Sequence, residues 1–371
     1  MSTGIESESG SDPRFAEPYR ALVRPEGARF IEVLDQRELP HAVVTKRVTD
    51  VDAATAAIRD MVVRGAPLIG AVGAYGLALA LDADASDAAL ERAHAKLDAA
   101  RPTAVNLRWA LDRVLARVAP LPVSRRADAA WCEADAIRDE DVAINAAIGR
   151  YGLELLRALG GEGRAVDVMT HCNAGALATC GFGTATAPIF LAHEAGVPLH
   201  VWVSETRPRL QGANLTAWEL AARGIAHTLV VDSASGLLMR RGDVDIVIVG
   251  ADRVARNGDV CNKIGTYDKA LAARDNDVPF YVALPSPTID WHTASGDGIP
   301  IEARSSREVL EIRGRDADGE SVSVAVAGRS TPALNYAFDV TPQRLVTGYI
   351  TERGVATSVA ELHALFQERL S

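Results

Sequence analysis

The sequence predicts an α/β fold in which a mainly helical N-terminal domain precedes a Rossmann-like parallel-sheet C-terminal domain. Between about Asp52 and Leu159 the apolar residues recur at helical spacing. After Gly163 short β-branched runs alternate with helical segments, which is typical of βαβ units and of a parallel sheet covered on both faces. A chain of 371 residues is long enough to form two hydrophobic cores.

We therefore divide the chain into three parts. Residues 1–27 begin with an acidic Ser/Gly-rich stretch and are expected to be a flexible tail. Residues 28–160 form the helical domain, with a small β element expected at RFIEVLDQRELP and HAVVTKRV. Residues 161–371 form the Rossmann-like catalytic domain.

Individual elements of the C-terminal domain follow from the same alternation. The predicted strands are AVDVMT, PLHVWVSE, HTLVVD, DIVIVGAD, PFYVAL and LVTGYI. The predicted helices are TATAPIFLAHEAG, GANLTAWELAARG, ASGLLMRRG and KIGTYDKALAARDN. The polar segment 292–328 is expected to leave the sheet and to form a small hairpin at SVSVAVAG. The apolar stretch 66–81 is expected to be a buried helix, because it is too short to cross a bilayer.

Composition limits the class of function. The formal net charge of -10 and a pI near 5.4 argue against a nucleic-acid surface, so an anionic ligand must be held by local groups. Four cysteines without CxxC spacing, and a first segment unlike a signal peptide, favour a soluble protein of the reducing cytoplasm with no membrane association. The eight histidines are scattered, so no metal site is predicted.

Two residues that directly follow predicted strands are the catalytic candidates. Ligands of open parallel sheets bind beyond the carboxyl ends of the strands. Cys172 lies there, and a nearby helix N-terminus would favour its thiolate; the alternative is an inert, packed thiol. Asp252 follows IVIVGA, where partial desolvation would raise its pKa toward that of a general acid or base. The alternative for Asp252 is a turn cap or an ion pair with Arg253.

Several further residues are typical of an anion site. Arg64, Gly65 and Ala66 lie at a break between helices, and Arg101 precedes a predicted helix start; either arginine alone is also explained as a solvated helix-end cation. The remaining candidates are Arg207, Arg209 and Gln211 before a predicted helix, and Asn262 with Lys263 beside Asp252. The alternative for Arg207 and Arg209, above all for Arg209, is an interdomain ion pair.

No Walker A or GxGxxG motif accompanies the predicted sheet, so the sheet itself does not indicate ATP or NAD.

Six motifs together resemble one family. RGAPLIG, RPTAVNL, THCNAGALAT, ETRPRLQGANLTAWEL, GADRVARNGDVCNKIGTY and FDVTP with ITERG occur in the order and approximate spacing of the methylthioribose-1-phosphate isomerases, over about residues 28 to 355. The resemblance implies a helical domain followed by a Rossmann-like domain, usually as a homodimer. It also implies conversion of 5-methylthioribose 1-phosphate to the open-chain ketose 1-phosphate in methionine salvage, with no metal or organic cofactor.

The resemblance also implies roles for individual residues. The catalytic cysteine of the family matches Cys172 and its catalytic acid matches Asp252. The substrate contacts match Arg64, Gly65, Ala66, Arg101, Gln211, Asn262 and Lys263.

Two questions stay open at this level. Asn214 stands where these isomerases often carry Arg, so a 5-deoxyribose 1-phosphate or another pentose 1-phosphate is an alternative substrate. A regulatory subunit of the same fold, which binds a sugar phosphate or a nucleotide without catalysis, is an alternative of another class. Such a subunit would be expected to lack Cys172 and Asp252 in these contexts.

Overall fold

The computed structural model describes residues 20–101, 104–161, 163–328 and 330–369 of the chain. It begins with a small antiparallel sheet formed by β1 (Leu22–Val23), β2 (Ile31–Leu34) and β3 (Thr45–Val48). This confirms the β element predicted before the helices. The predicted tail is wrong at its end, because Leu22 is fully buried against this sheet's core and the fold begins before residue 28. Residues 1–19 of the predicted tail lie outside the described residues.

Five helices follow the small sheet, as the periodicity predicts. They are α1 (Val51–Arg59), α2 (Ala66–Ala83), α3 (Asp87–Asp98), α4 (Val105–Val118) and α5 (Val123–Leu159). Asp50 and Ser86 cap the N-termini of α1 and α3 with their side-chain oxygens, as Asp and Ser commonly do. By length and composition α2 resembles a membrane span, but 78% of it is buried inside the protein. It is therefore the central core helix of this part of the chain, as predicted.

The 37-residue helix α5 packs against both parts of the chain. Its Gly149 and Gly152 face the helix Thr186–Glu194, which follows the first strand of the C-terminal part. A Cβ at Gly152 would lie 2.3 Å from a Pro188 side-chain atom, so only glycine allows this approach.

After α5 the chain forms the predicted alternating pattern. The strands are β4 (Val166–His171), β5 (Leu199–Ser204), β6 (His227–Val230), β7 (Ile246–Val249), β8 (Arg253–Ala255), β9 (Val260–Lys263), β10 (Phe280–Ala283), β11 (Ile289–Asp290), β12 (Glu311–Arg315), β13 (Ser321–Ala325), β14 (Phe338–Thr341), β15 (Gly348–Thr351) and β16 (Gly354–Ala356). The helices are α6 (Thr186–Glu194), α7 (Ala217–Ala222), α8 (Ser235–Arg241), α9 (Thr266–Asp275), α10 (Arg307–Leu310) and α11 (Val359–Leu365).

A seven-stranded sheet in the order β16-β15-β10-β7-β4-β5-β6 forms the centre of this part. Its strands are parallel except β16, which pairs antiparallel with β15. All six predicted strands are confirmed within it. All four residues of β7 are completely buried, as expected for a central parallel strand. The chain runs outward from β4 in one direction through β5 and β6, and in the other through β7 and β10. The switch point of the sheet therefore lies between β4 and β7, where open α/β sheets bind ligands.

A second sheet, in the order β11-β8-β9-β14, was not predicted. Its strands have only two to four residues, too few to show a clear alternation. β9 carries Asn262 and Lys263, whereas the predicted helix KIGTYDKALAARDN begins at Lys263; the observed helix α9 begins at Thr266.

The predicted excursion from the sheet contains a hairpin, but β12 and β13 form it, so the predicted segment SVSVAVAG supplies only its second strand. This hairpin reaches the N-terminal part of the chain: Arg313 Nη2 lies 3.2 Å from Glu38 Oε2, and Arg315 Nη2 donates to His41 O at 3.1 Å. The hairpin therefore contacts the loop between β2 and β3.

Candidate active site

A cavity of about 570 Å³ lies between the N-terminal helices and the carboxyl ends of β4 and β7. Two smaller recesses of about 30 and 40 Å³ adjoin it and share Gly65 and Asp252 with it. All nine residues predicted for the site line this cavity or a recess: Arg64, Gly65, Ala66, Arg101, Cys172, Gln211, Asp252, Asn262 and Lys263. The structure thus brings together residues that span almost 200 positions in the sequence.

Cys172 lies directly after β4 in a left-handed conformation, with φ of 63°. Two threonines hold its main chain: Cys172 N donates to Thr206 Oγ1 at 2.9 Å, and Thr216 Oγ1 donates to Cys172 O at 2.6 Å. Left-handed backbone is unfavourable for a residue with a side chain. The two hydrogen bonds therefore stabilise the conformation of Cys172 at the cavity.

The expected thiolate of Cys172 is not favoured in the structure. Burial raises the pKa of this thiol, although the charges of Arg64 and Lys263 oppose the rise. The helix expected directly after Cys172 is replaced by a 3₁₀ turn over Ala176–Ala178, and α6 begins only at Thr186. The raised pKa favours the neutral thiol.

Asp252 follows β7 at the same edge of the sheet. Burial raises the pKa of its carboxyl, as predicted, while Lys263, Arg64 and Arg101 lower it. Within the part of the chain that the structure describes, its side chain forms no hydrogen bond or ion pair. The adjacent Arg253 instead contacts Asp290 at 3.3 Å. Asp252 is therefore free to face a ligand.

Lys263 occupies the end of β9 and is 9% exposed. Its Nζ donates to Ala337 O at 2.8 Å and lies 4.5 Å from the centre of the Phe338 ring. Burial lowers the pKa of Lys263, and the charges of Cys172 and Asp252 raise it. This ammonium, like the Arg64 guanidinium, lowers the pKa of both catalytic candidates.

Asn262 lies next to it on β9, and its Nδ2 donates to Thr266 Oγ1 at 3.0 Å. Its side chain lines the smaller recess beside Cys172. Its own carboxamide oxygen remains available to a ligand in that recess.

Arg64 and the two residues after it form the opposite wall. Arg64 Nη1 donates to Asn173 Oδ1 at 2.5 Å and its Nη2 to Asn173 O at 2.6 Å. Gly65 has φ of 97° and immediately precedes α2, which begins at Ala66 without a side-chain cap. N–H groups at such a helix start have no partner within the helix and attract anions.

Two buried polar atoms of residues that line the cavity have no hydrogen-bond partner among the described residues. Arg101 Nη2 contacts Glu302 at 3.2 Å, but Arg101 Nε has no hydrogen-bond partner among the described residues. Gln211 is 8% exposed, and its Oε1 likewise has no partner within the described chain. Buried polar groups in folded proteins are normally hydrogen-bonded, so both atoms are suited to a polar ligand. Pro102 and Thr103, after Arg101, lie outside the described residues.

Arg207 and Arg209, which the sequence also suggested for the anion site, contact residues of the C-terminal part of the chain. Arg209 Nη1 forms an ion pair with Glu308 at 2.8 Å, so the expected ion pair exists but is not interdomain. Arg207 donates to Pro208 O and Val309 O. These contacts tie the loop before Gln211 to the excursion.

Sequence reasoning missed several residues of the site. Met61, Leu210, Leu215 and Phe338 supply apolar lining. An ion-pair series runs from Arg101 through Glu302, Arg304 and Glu308 to Arg209. The alternating acidic and basic residues of EARSSRE could have indicated the ion pairs within this segment. Its distant partners, Arg101 and Arg209, were not predictable.

His171, the histidine beside Cys172, is fully buried; its Nε2 lies 2.8 Å from Ile264 O. Burial lowers the pKa of His171 to about 3, so the ring is neutral. Among the described residues no group of three His, Cys, Asp or Glu side chains is placed to hold a metal ion.

A helical domain on a parallel sheet, with a ligand cavity at the switch point, defines a Rossmann-like α/β protein with a small-molecule site. Comparisons with known proteins agree with this class. The model of the initiation factor 2 subunit family matches residues 62–358. The methylthioribose-1-phosphate isomerase of Paramagnetospirillum magneticum is 56% identical over 355 residues, covering 95% of this chain and 98% of that one. The enzyme of the same name from Rhizobium meliloti is also 56% identical, over 359 residues, with the same coverage.

Solved structures agree. The 5-methylthioribose 1-phosphate isomerase of Pyrococcus horikoshii superposes with a TM-score of 0.80 at 38% identity, covering 94% of this chain and 96% of that chain. The A. fulgidus protein described as translation initiation factor eIF-2B, subunit delta, gives 0.77 at 36% identity, with coverage of 94% and 99%. The chain therefore belongs to the initiation factor 2 subunit family and, within it, to the methylthioribose-1-phosphate isomerases. It is an isomerase, which sets aside the non-catalytic alternative.

Proposed function

We propose that this isomerase converts 5-methylthioribose 1-phosphate to 5-methylthioribulose 1-phosphate, with Cys172 and Asp252 as its catalytic residues. The names of its relatives support the substrate. One observation carries the site assignment: the thiol and the carboxyl follow β4 and β7 at the switch point, inside a cavity that also collects the cations.

The phosphate is held by Arg64, Arg101 and the main-chain N–H groups of Gly65 and Ala66. These groups carry the positive charge and the unpaired donors that a phosphate requires. Gln211, Asn262 and Lys263 contact the sugar. The chain as a whole is acidic, so these local cations and N–H groups, and not the overall charge, attract the anion.

Asp252 opens the sugar ring. The C1 phosphate locks the sugar as a ring, so the bond between C1 and the ring oxygen must break first. The half-buried carboxyl, with its raised pKa, gives its proton to the ring oxygen as this bond breaks. The resulting carboxylate then accepts the proton of the C2 hydroxyl as the ketone forms. Lys263 and Arg101 stabilise this carboxylate.

Hydrogen must also pass from C2 to C1, and two routes fit these residues. In one, the thiolate of Cys172 removes the C2 hydrogen as a proton, and the resulting thiol returns a proton to C1 of the enol intermediate. In the other, the C2 hydrogen moves directly to C1 as hydride. The burial that raises the pKa of Cys172 makes its thiolate the minor form, whereas the charges of Arg64 and Lys263 favour that thiolate, so an experiment must separate the two routes. A buried cavity also protects the reactive intermediate from water.

Turnover in deuterated water separates the two routes. The direct shift predicts product without deuterium at C1. Deuterium incorporation at C1 would establish the proton route through Cys172.

The 5-substituent is the least defined part of the substrate. Met61, Leu210 and Leu215 provide an apolar lining suited to a methylthio group. An apolar pocket separates methylthio from methyl by only about 1 to 3 kcal/mol, so 5-deoxyribose 1-phosphate is the second candidate substrate.

Measuring turnover of both compounds and of ribose 1,5-bisphosphate tests the proposal. We expect the highest kcat/KM for 5-methylthioribose 1-phosphate. A higher value for either of the other two would change the assigned substrate.

The proposal places the enzyme in methionine salvage in the cytoplasm, as a homodimer that acts without a cofactor. Size-exclusion chromatography with light scattering tests the dimer. Growth of a deletion strain on methylthioribose as its sulfur source tests the pathway.

A further inference from the structure

Side-chain hydrogen bonds join the carboxyl ends of three adjacent strands, and the reaction described above uses only the first of these ends. Cys172 follows β4, Thr206 follows β5 and Asp232 follows β6, each within two residues of the last residue of its strand. The three strands lie side by side in the order β4-β5-β6. Asp232 is not one of the described residues that line the cavity or its two recesses. Any part that Asp232 takes in the reaction must therefore pass through its neighbours.

Asp232 binds the chain that follows β5. Its Oδ1 accepts from Thr206 N at 2.8 Å and from the hydroxyl of Ser204, and its Oδ2 accepts from Arg207 N at 2.7 Å. Burial raises the pKa of this side chain, but the hydrogen bonds from Ser204 and Arg207 and the charge of Lys269 lower it below its ordinary value overall. The side chain is therefore a carboxylate, and hydrogen bonds to a carboxylate are stronger than those between neutral groups.

These hydrogen bonds hold Thr206 in a conformation that its side chain disfavours. Thr206 has φ of 69°, in the left-handed region, which is a rare position for a β-branched residue. Such a conformation costs about 1 to 3 kcal/mol and persists only where the surrounding structure holds it. The carboxylate of Asp232 binds Thr206 on its N–H side, and Thr206 O accepts from Leu210 N at 2.7 Å on the other side.

The same threonine contacts the main chain of Cys172. Its Oγ1 accepts from Cys172 N at 2.9 Å and donates to Ser204 O at 3.0 Å. The position of this hydroxyl depends on the backbone of Thr206, which Asp232 holds from the next strand end. The hydrogen bonds therefore run without interruption from Asp232 through Thr206 to Cys172 at the cavity.

We propose that Asp232 is a positioning residue: it fixes the left-handed backbone of Thr206, whose hydroxyl in turn fixes the main chain of Cys172 at the cavity. The proposal rests on the proposed function in one respect, since it takes Cys172 as a catalytic residue. Asp232 itself neither touches the substrate nor exchanges a proton with it.

Asp232→Asn is the direct test, because it keeps the size of the side chain and replaces one acceptor oxygen by an NH₂ donor. In either orientation of the amide this donor faces a main-chain N–H, that of Thr206 or that of Arg207, so the loop after β5 must shift. We expect hydrogen exchange at the Cys172 amide, measured by mass spectrometry at single-residue resolution, to accelerate about ten-fold or more. We expect kcat to fall about ten-fold and KM to change less than about three-fold, because Cys172 acts in the reaction and not in substrate binding.

Asp245→Asn is the matched control. Asp245 lies at the opposite end of the same sheet, directly before β7, where its Oδ2 also accepts from a main-chain N–H, that of Asp167, at 2.8 Å. It also forms an ion pair with Arg164 at 2.8 Å. Both variants disturb a carboxylate that binds a main-chain N–H at a strand end, but only Asp232→Asn should change kcat and the exchange at Cys172. Equal changes in both variants would reduce Asp232 to a general contributor to stability and overturn the proposal.

A double-mutant cycle with Thr206→Val tests the path through Thr206. If Asp232 acts through this threonine, Asp232→Asn should lower the kcat of Thr206→Val by less than about two-fold. Fully additive losses in kcat would overturn the proposal. If Asp232→Asn does not fold, Ser204→Ala decides, because it removes one hydrogen bond that orients the Asp232 carboxylate. Faster exchange at Cys172 in Ser204→Ala supports the proposal, and unchanged exchange overturns it.

Hydrogen exchange also makes the two proposals separable, because it does not depend on turnover. Faster exchange at Cys172 in Asp232→Asn, together with an unchanged kcat, would support the positioning of Cys172 by Asp232 and refute Cys172 as a catalytic residue. Unchanged exchange in folded Asp232→Asn would refute the positioning role alone, whichever sugar phosphate the wild-type enzyme turns over.

Discussion

Cys172 and Asp252 follow adjacent parallel strands, β4 and β7, and line the same cavity, where burial raises the pKa of both side chains. The raised values favour the neutral thiol and the protonated carboxyl. Lys263 opposes the shift of both groups. The site thus combines a thiol and a carboxyl, both with raised pKa values, with the buried ammonium of Lys263.

Replacing Lys263 by Met should move the alkaline limit of activity. Lys263 lowers the pKa of Asp252, so its loss raises that pKa and keeps the carboxyl protonated to higher pH. The alkaline limb of kcat against pH should therefore shift upward, while KM rises because a substrate contact is lost. Lys263→Arg keeps the charge and should keep the limb in place. A limb that moves to lower pH in the Met variant would contradict the role given to Asp252.

Removing the Thr206 hydroxyl should disturb Cys172 without changing side-chain shape. Thr206 Oγ1 accepts from Cys172 N at 2.9 Å and donates to Ser204 O at 3.0 Å, and Thr206→Val leaves both groups unpaired. We expect a loss of about 1 to 3 kcal/mol in the free energy of unfolding and a lower kcat. Thr206→Ser retains the hydroxyl and serves as the control. Equal kcat in the Val and Ser variants would show that this contact does not position Cys172.

A methyl group at Gly212 should displace Gln211. Gly212 opens the π-helical turn Gly212–Thr216, and a Cβ there would lie 1.7 Å from Ser204 O. Gly212→Ala should lower the free energy of unfolding by about 1 to 3 kcal/mol and raise KM. Gly236→Ala in α8, where the nearest atom is 3.8 Å away, should be neutral or slightly stabilising. Denaturant unfolding of both variants checks the contrast, and equal stabilities would refute it.

Asp141 on α5 should make the stability of the protein depend on pH. It is 8% exposed, it accepts from Cys180 N at 2.7 Å, and burial raises its pKa to about 6. Between its unfolded and folded pKa values only the folded state holds the proton, so stability falls as pH rises through this range. Asp141→Asn keeps an acceptor and cannot ionise.

Relative to wild type, Asp141→Asn should therefore gain up to about 3 kcal/mol in the free energy of unfolding between pH 4 and pH 7. Urea unfolding at both pH values measures the gain. The gain of Asp141→Asn over wild type in free energy of unfolding should grow with pH. A gain that stays constant, or shrinks, as pH rises would contradict the raised pKa of Asp141.

The parallel sheet was predictable because strands buried on both faces must be nearly continuous apolar runs, such as the IVIV of β7. The position of Cys172 and Asp252 at strand ends was predictable for the same reason. The short strands β8, β9 and β14 were not, since three or four residues give too little periodicity and the pairing of β14 with β9 is long-range.

The electrostatics of the site were predictable only in part. The raised pKa of Asp252 follows from its position after a buried strand. The thiolate expected for Cys172 was wrong, because burial outweighs the cations and only a 3₁₀ turn follows. Contacts such as Arg209 with Glu308 join residues about a hundred positions apart, and no local pattern specifies them.

The turnover of 5-methylthioribose 1-phosphate by Asp252→Asn and by Cys172→Ser, with substrate binding measured in parallel by calorimetry, tests the catalytic assignment most directly. Both variants keep the shape of the site, so we expect substrate affinity close to that of wild type. We predict a kcat lower by about two to four powers of ten for Asp252→Asn, since a general acid contributes about that much, and a clear loss for Cys172→Ser. Near-normal turnover by either folded, substrate-binding variant would contradict the assignment.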